Sequence, residues 1–137
     1  MVTEVFVDAS VLAVACGAEH PDREACLGLI VGARRGEFRV HVSVEAIREL
    51  VFHRMRRGDR DLALEQSRAM RAMCVMHDFD DEVLGRSLDL IASMPIRARD
   101  AVHAATALEG GFDEIISLDE NFDSVPGLRR RHPRDIA

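Results

Sequence analysis

Three short runs of mainly apolar and β-branched residues, Val2–Val7, Phe38–Val42 and Glu114–Leu118, are separated by stretches too long for hairpins. Strands joined by long helical crossovers pair in parallel, with right-handed connections and helices laid against the sheet. The order β, helices, β, helices, β therefore predicts an α/β fold of three layers, α/β/α, with a mostly parallel central sheet. No internal repeat, linker or low-complexity segment interrupts the 137 residues, so residues 1–137 are expected to form a single domain.

The segments between the strands carry start and stop signals. Ser10–Cys16 reads as a brief helix stopped by Gly17, and His20-Pro21-Asp22 marks a second helix that ends at Gly36. Ser43 is a suitable N-cap for a helix to Arg57, with Val44, Ile47, Val51 and Met55 as its apolar stripe. Asp59 or Asp61 opens the next helix, with Leu62, Ala69, Met70 and Met73, and Cys74–His77 follows as a short edge strand. Asp80-Asp81 starts a helix containing Val83, Leu84, Leu88 and Ile91, and Asp100–Leu108 is helical up to Gly110-Gly111. Beyond Asp119 the tail has room for one more short strand.

Four acids fall where these elements meet. Asp8 closes the first strand, Glu49 lies in the helix after the second, Asp100 opens the alanine-rich helix, and Asp119 follows the last clear strand. Open α/β sheets bind ligands outside the carboxyl ends of their strands, so the fold can gather such distant residues into one crevice. Two carboxylates about 4 Å apart repel by ~4 kcal/mol at an effective dielectric of 20. A pocket of them calls for a cation, and oxygen-only donors favour the hard ions Mg²⁺ or Mn²⁺.

Composition removes other classes of chemistry. All 18 basic residues are arginine, so a Walker A phosphate loop, a kinase lysine, Schiff-base catalysis and a lysine-dependent phosphoacceptor site are excluded. A phosphatase built on a DxD after the first strand is disfavoured because Ser10 stands where the second acid belongs. Six phenylalanines without Trp or Tyr make a poor stacking platform for single strands. The net charge of −6 supplies no bulk attraction to nucleic acid, which leaves local arginine patches for that purpose. Arg97 and Arg99, beside Asp100, are the candidates for phosphate contact, and Arg54, Arg56, Arg57 and Arg60 form a second group at a helix end. Three spaced cysteines with no CxxC pair indicate reduced thiols. No run approaches the ~20 apolar residues of a membrane span, and Met1-Val2-Thr3-Glu4 lacks a basic signal start, so a cytoplasmic protein is expected.

Together, four segments resemble the motifs of PIN-domain nucleases. Val7-Asp8-Ala9-Ser10-Val11-Leu12 is similar to the first, and Ser43 with Glu49-Leu50 six residues on is similar to the second. Arg99–Ala107 resembles the third and Ile116–Asp123 the fourth, and the size and C-terminal layout resemble VapC-type toxins of toxin–antitoxin pairs. The resemblance covers nearly the whole chain and implies a PIN-like domain. By that resemblance Asp8, Glu49, Asp100 and Asp119 are the metal-binding and catalytic acids of an Mg²⁺- or Mn²⁺-dependent endoribonuclease, with Asp123 an auxiliary acid. It also implies a homodimer and an antitoxin whose tail covers the cleft. The rival expectation is a PIN-like adaptor that binds RNA or protein without cutting it.

Each acid also has a plainer reading. Asp8 and Asp100 could cap the helices that follow them, Asp119 could serve a turn, and Glu49 could pair with His53 one turn on. Glu45 lies one turn before Glu49 on the same side, and only the motif spacing selects Glu49. His103 is expected to be a packed histidine rather than a ligand. Ser117, two residues before Asp119, is either an ordinary strand-end hydroxyl or one that orients a carboxylate or a metal-bound water. Met70, Met73 and Met76 read mainly as core filler, with some available to a groove for a partner helix or second subunit.

Overall fold

Parallel pairing is what long crossovers impose, and the computed structural model, which describes residues 1–136, has it throughout. Strand β1 is Thr3–Phe6, β2 Phe38–Ser43, β3 Val75–His77, β4 Glu114–Ile116 and β5 Arg129–Arg131. Helices are α1 Ala9–Cys16, α2 Arg23–Arg34, α3 Val44–Arg57, α4 Arg60–Met73, α5 Asp81–Ser93 and α6 Ala98–Glu109. Short 3₁₀ turns cover Glu120–Ser124 and Pro133–Asp135. β1 pairs with β2 and β2 with β3, while β4 pairs with β5. A parallel bridge between Val7 and Ile116 joins the two groups, giving the order β3-β2-β1-β4-β5.

Alternation along the strands divides the interior into two cores, one on each face. Val5, Val7, Val40, Val42 and Ile116 pack with Val11 and Leu12 of α1, Leu29 and Ile30 of α2, and Ala46 and Leu50 of α3. Phe6 and Ile115 point the other way, into a core with Val83 and Leu90 of α5, four alanines of α6, and Phe122. Because α6 faces the sheet with Ala101, Ala104 and Ala105, all fully buried, its backbone lies close to β2 and β4. That closeness brings the first turn of α6 over the strand ends.

Several boundaries differ from the sequence expectations. Helix α6 begins at Ala98, with Arg97 in the N-cap position, so Asp100 sits inside the first turn instead of opening it. The buried stripe of α3 is Ala46 and Leu50, leaving Met55 and Phe52 exposed. In α4 the buried positions are Ala63, Ser67 and Met70, with Leu62 outside, and in α5 they are Val83, Ser87 and Leu90, with Leu84, Leu88 and Ile91 outside. Each helix turns at least one small residue (Ala46, Ala63, Ser67 or Ser87) to the core while some larger apolar ones stay at the surface, which hydrophobicity alone would not select.

Two helical glycines should respond oppositely to substitution. At Gly85, in exposed α5, a Cβ meets nothing within 4 Å, so Gly85→Ala should stabilise by about 0.5–1 kcal/mol. At Gly32 in α2 a Cβ would come within 2.5 Å of the Phe38 ring, so Gly32→Ala should instead cost ~1–3 kcal/mol. Urea denaturation of the two variants measures both.

Candidate active site

The strand order reverses between β1 and β4. From β1 the crossovers lead outward to β2 and β3, while β4 and β5 lie on its other side. At such a switch point the loops leaving neighbouring strands run in opposite directions and open a crevice at their carboxyl ends. Asp8 follows β1, Ser117 and Asp119 follow β4, Asp100 descends from α6, and Glu49 comes from α3, which leaves β2 directly.

Asp8 is held by hydroxyls rather than by a helix. It occupies the N-cap position of α1, yet its side chain makes no capping bond. Ser10 Oγ donates to its Oδ1 at 2.6 Å and Ser117 Oγ to its Oδ2 at 2.9 Å. Its backbone N–H donates to the Ile116 carbonyl at 3.3 Å. The carboxylate is 5 % exposed, and burial pushes its pKa upward. The hydroxyls of Ser10 and Ser117 and the charge of His103 oppose that rise, while Asp119 adds to it.

Asp100 and Asp119 share one guanidinium. Arg97 Nε lies 3.3 Å from Asp100 Oδ2, and its terminal nitrogen 3.6 Å from Asp119 Oδ2. The Asn121 amide reaches Asp100 only at 3.5 Å, a marginal contact. Asp119 does serve the turn that its position suggested, accepting the Asn121 N–H on Oδ1 at 2.9 Å, which leaves Oδ2 towards Arg97. Its own N–H donates to Ser117 Oγ, so this one hydroxyl connects Asp8 to the Asp119 backbone.

Glu49 bonds His103 Nε2 at 3.0 Å, rather than pairing with His53 along its own helix. Glu45 is taken up by Arg48, at 2.7 Å, and turns away from this contact. His103 stands one turn after Asp100 and is 2 % exposed. Burial alone would lower its pKa, but the hydrogen bond and charge of Glu49, with the charges of Asp8 and Asp100, raise it overall. His103 is therefore more than packing: three of the four acids act on it. The spacing from Asp100 was visible in the sequence, but its Glu49 partner lies 54 residues away. Ser10 was also missed as an orienting group, although Asp8-Ala9-Ser10 puts it two residues from the acid.

Two other candidates stand differently from their sequence readings. Asp123 pairs with Arg130 at 2.7 Å on the exposed side of the 3₁₀ turn and shares no side-chain hydrogen bond or ion pair among the described residues with the groups that hold the other four acids, so the structure does not draw it into the group. Arg97 spends its charge on Asp100 and Asp119, whereas Arg99 is exposed and pairs with no carboxylate among the described residues. With Arg97 between two acids and His103 on Glu49, no three His, Cys, Asp or Glu side chains among the described residues form a ready-made ion site.

Comparison with known proteins agrees with this arrangement at the level of fold and family. A family model of the PIN domain matches residues 5–128. Ribonuclease VapC7 of Mycobacterium tuberculosis is 32% identical over 121 residues, spanning 86% of this chain and 83% of that protein. VapC ribonuclease Mb1869c of Mycobacterium bovis is 27% identical over 135 residues, spanning 92% and 98%. Among solved structures, DNA-bound VapBC from Salmonella typhimurium superposes with a TM-score of 0.76 at 14% identity, covering 97% of this chain and 99% of that one. Mycobacterium tuberculosis VapC20, described as a toxin that cleaves the sarcin-ricin loop, gives 0.73 at 16% identity, covering 88% and 93%.

The buried acid predicts a pH-dependent stability. A carboxyl whose folded pKa is raised contributes most below its unfolded value, 3.8, and loses that contribution as pH rises through the folded one. Burial of Asp8 thus weakens the ion-free fold as pH rises and the carboxyl loses its proton. With chelator present, Asp8→Asn should raise the melting midpoint, and by more as the pH is raised. The gain should disappear below pH ~4. His103, raised from 6.5, follows the same sign: its stabilisation is complete below 6.5 and fades as pH climbs through the folded value. His103→Gln should flatten the fall in midpoint on the alkaline side.

Proposed function

Since this chain belongs to the PIN-domain family, we propose that it is an endoribonuclease, the toxin of a VapBC-type toxin–antitoxin pair, hydrolysing RNA phosphodiester bonds with the help of Mg²⁺ or Mn²⁺. What carries the reading is the gathering of Asp8, Glu49, Asp100 and Asp119, from four separate parts of the chain, around the β1/β4 crevice. Against the plainer account of Asp8 as a helix cap, its carboxylate makes no capping bond to the α1 amides and is bonded by the Ser10 and Ser117 hydroxyls. Glu49 likewise leaves its own helix to reach His103.

The donor set fits a hard divalent ion in kind. It is made of carboxylate oxygens, with the Arg97 guanidinium beside Asp100 and Asp119 and the His103 ring bonded to Glu49. Asp8 and Asp100, the two buried acids, are the proposed principal donors, with Asp119 and Glu49 completing the set. An ion held there would supply the positive charge that polarises a phosphate and acidifies a water. The work of the chain is orientation. Ser10 and Ser117 fix both oxygens of Asp8, and His103 holds Glu49 against the base of α6. Arg97, 61 % exposed on its side chain, can exchange its two carboxylates for a substrate phosphate.

An antitoxin and a second copy of the chain are the proposed protein partners. Phe52, Met55 and Leu62 on α3 and α4, and Leu84, Leu88 and Ile91 on α5, are large apolar side chains left exposed, as faces covered in an assembly are. A cytoplasmic setting is proposed with them; no helix among the described residues is long and apolar enough to cross a membrane.

The purified chain should cut single-stranded RNA in Mg²⁺ or Mn²⁺, stop when EDTA removes the ion, and recover on adding Mn²⁺. Asp8→Asn and Asp100→Asn should each lower the cleavage rate at least about a hundredfold while melting cooperatively. Full activity in either variant rejects the assignment of that acid. Absence of Mn²⁺ binding by calorimetry at millimolar concentrations would return the protein to the non-cutting adaptor class.

A further inference from the structure

The pocket adjoining the acids carries charge that nothing in the fold uses. It opens between α1 and the end of α3, with a cavity volume of about 750 Å³, inside the ~300–1,000 Å³ range of ligand sites. Ser10 and Leu118 belong to its lining, and these two residues adjoin Asp8 and Asp119, so the pocket continues directly from the crevice. Ala13 and Val14 give the lining apolar surface, Arg54 and Arg57 give it two guanidinium groups, and Glu19 is its one acid.

Neither arginine has a carboxylate within 4.0 Å among the described residues, although 24 acids are present in the chain. Arg54 is nevertheless held in place. Its Nε donates to Gln66 Oε1 at 3.3 Å, and the Gln66 amide donates in turn to the Cys16 carbonyl at 3.0 Å. One of its terminal nitrogens lies 3.5 Å from where a Cβ on Gly17 would be. A half-buried guanidinium braced by a neutral amide keeps its full charge for a ligand. His53 also lines the pocket, its pKa lowered by burial and then by Arg57, Arg54 and Arg56.

We propose that this pocket is the subsite for the nucleotide of single-stranded RNA adjoining the scissile phosphate, with Arg54 and Arg57 holding its phosphate and the Ala13–Val14 wall its base. The proposal rests on the nuclease reading for which phosphate lies at the acids. It commits the α3 arginines, rather than Arg97 and Arg99 alone, to substrate binding. The helix-dipole account of arginines at a helix end explains neither the Gln66 brace nor a lining that includes Ser10 and Leu118, the neighbours of Asp8 and Asp119.

The test is RNA binding by the full chain in EDTA, followed by fluorescence anisotropy of a short fluorescein-labelled single-stranded RNA. Arg54→Gln should weaken binding about 5–10-fold and reduce the slope of log K against log salt by ~0.7, the value for one lost phosphate contact on a single strand. Arg57→Gln, an exposed position with no structural bond, should act the same way and serves as a second variant if Arg54→Gln melts early. Arg35→Gln, at the opposite end of the sheet, should leave affinity and slope unchanged. Equal losses in all three variants would mean diffuse attraction and overturn the subsite, as would unchanged binding in Arg54→Gln and Arg57→Gln, or no RNA binding by the parent chain. Cleavage in Mn²⁺ separates the two readings. A chain that cuts RNA but binds it independently of both arginines loses the subsite alone; one that binds through them but never cuts retains an RNA pocket and loses the nuclease.

Discussion

A carboxylate removed from water at the junction of two strands is the constraint around which this molecule is arranged. Asp8 is buried, its pKa is driven upward by that burial, and the chain answers with two hydroxyls and a nearby imidazole. A fold selected for stability alone has better occupants for such a position, since an apolar or amide side chain avoids the desolvation cost. An acid is retained there all the same, with Asp100 buried as well and a single arginine shared between Asp100 and Asp119, a concentration of ionisable groups of the kind found at functional sites.

The sheet order supplies the place and the packing supplies the approach. Reversal of direction between β1 and β4 leaves a gap at the carboxyl ends, and the small residues on the inner face of α6 let that helix settle over it. Asp100 and His103 are thereby carried to the same depth as Asp8. The outer acid, Glu49, reaches the group through His103. The acids are thus joined through groups that are not themselves acids: a serine between Asp8 and Asp119, an arginine between Asp119 and Asp100, and a histidine in contact with Glu49.

Much of this was legible before any coordinates. Parallel pairing followed from crossover length, and the short strand Val75–His77 and a final strand in the tail fell where turn and composition signals left room. Asp8, Glu49, Asp100 and Asp119 could be singled out because local patterns mark strand exits and helix starts. What stayed hidden depended on side-chain partners. Asp8 with Ser117 and Glu49 with His103 are long-range pairs that no local periodicity encodes. Periodicity could not choose between Glu45 and Glu49, which share a helix side, and only the motif spacing favoured Glu49; in the fold the two differ in partner, Arg48 for Glu45 and His103 for Glu49. The helix faces were misread for a related reason. Ala63, Ser67 and Ser87 are buried while Leu62, Leu84 and Leu88 are not, and size ranks poorly as a guide to burial where a helix packs closely.

Where β1 meets β4 the backbone offers little pairing beyond the Val7–Ile116 bridge and one long bond from Asp8 to Ile116. The Ser117 hydroxyl fastens this seam from the side, as a latch across two panels. Any sliding of one half-sheet past the other must therefore swivel the Asp8 carboxylate. The pose of a single acid becomes a gauge of how squarely the halves of the molecule are seated.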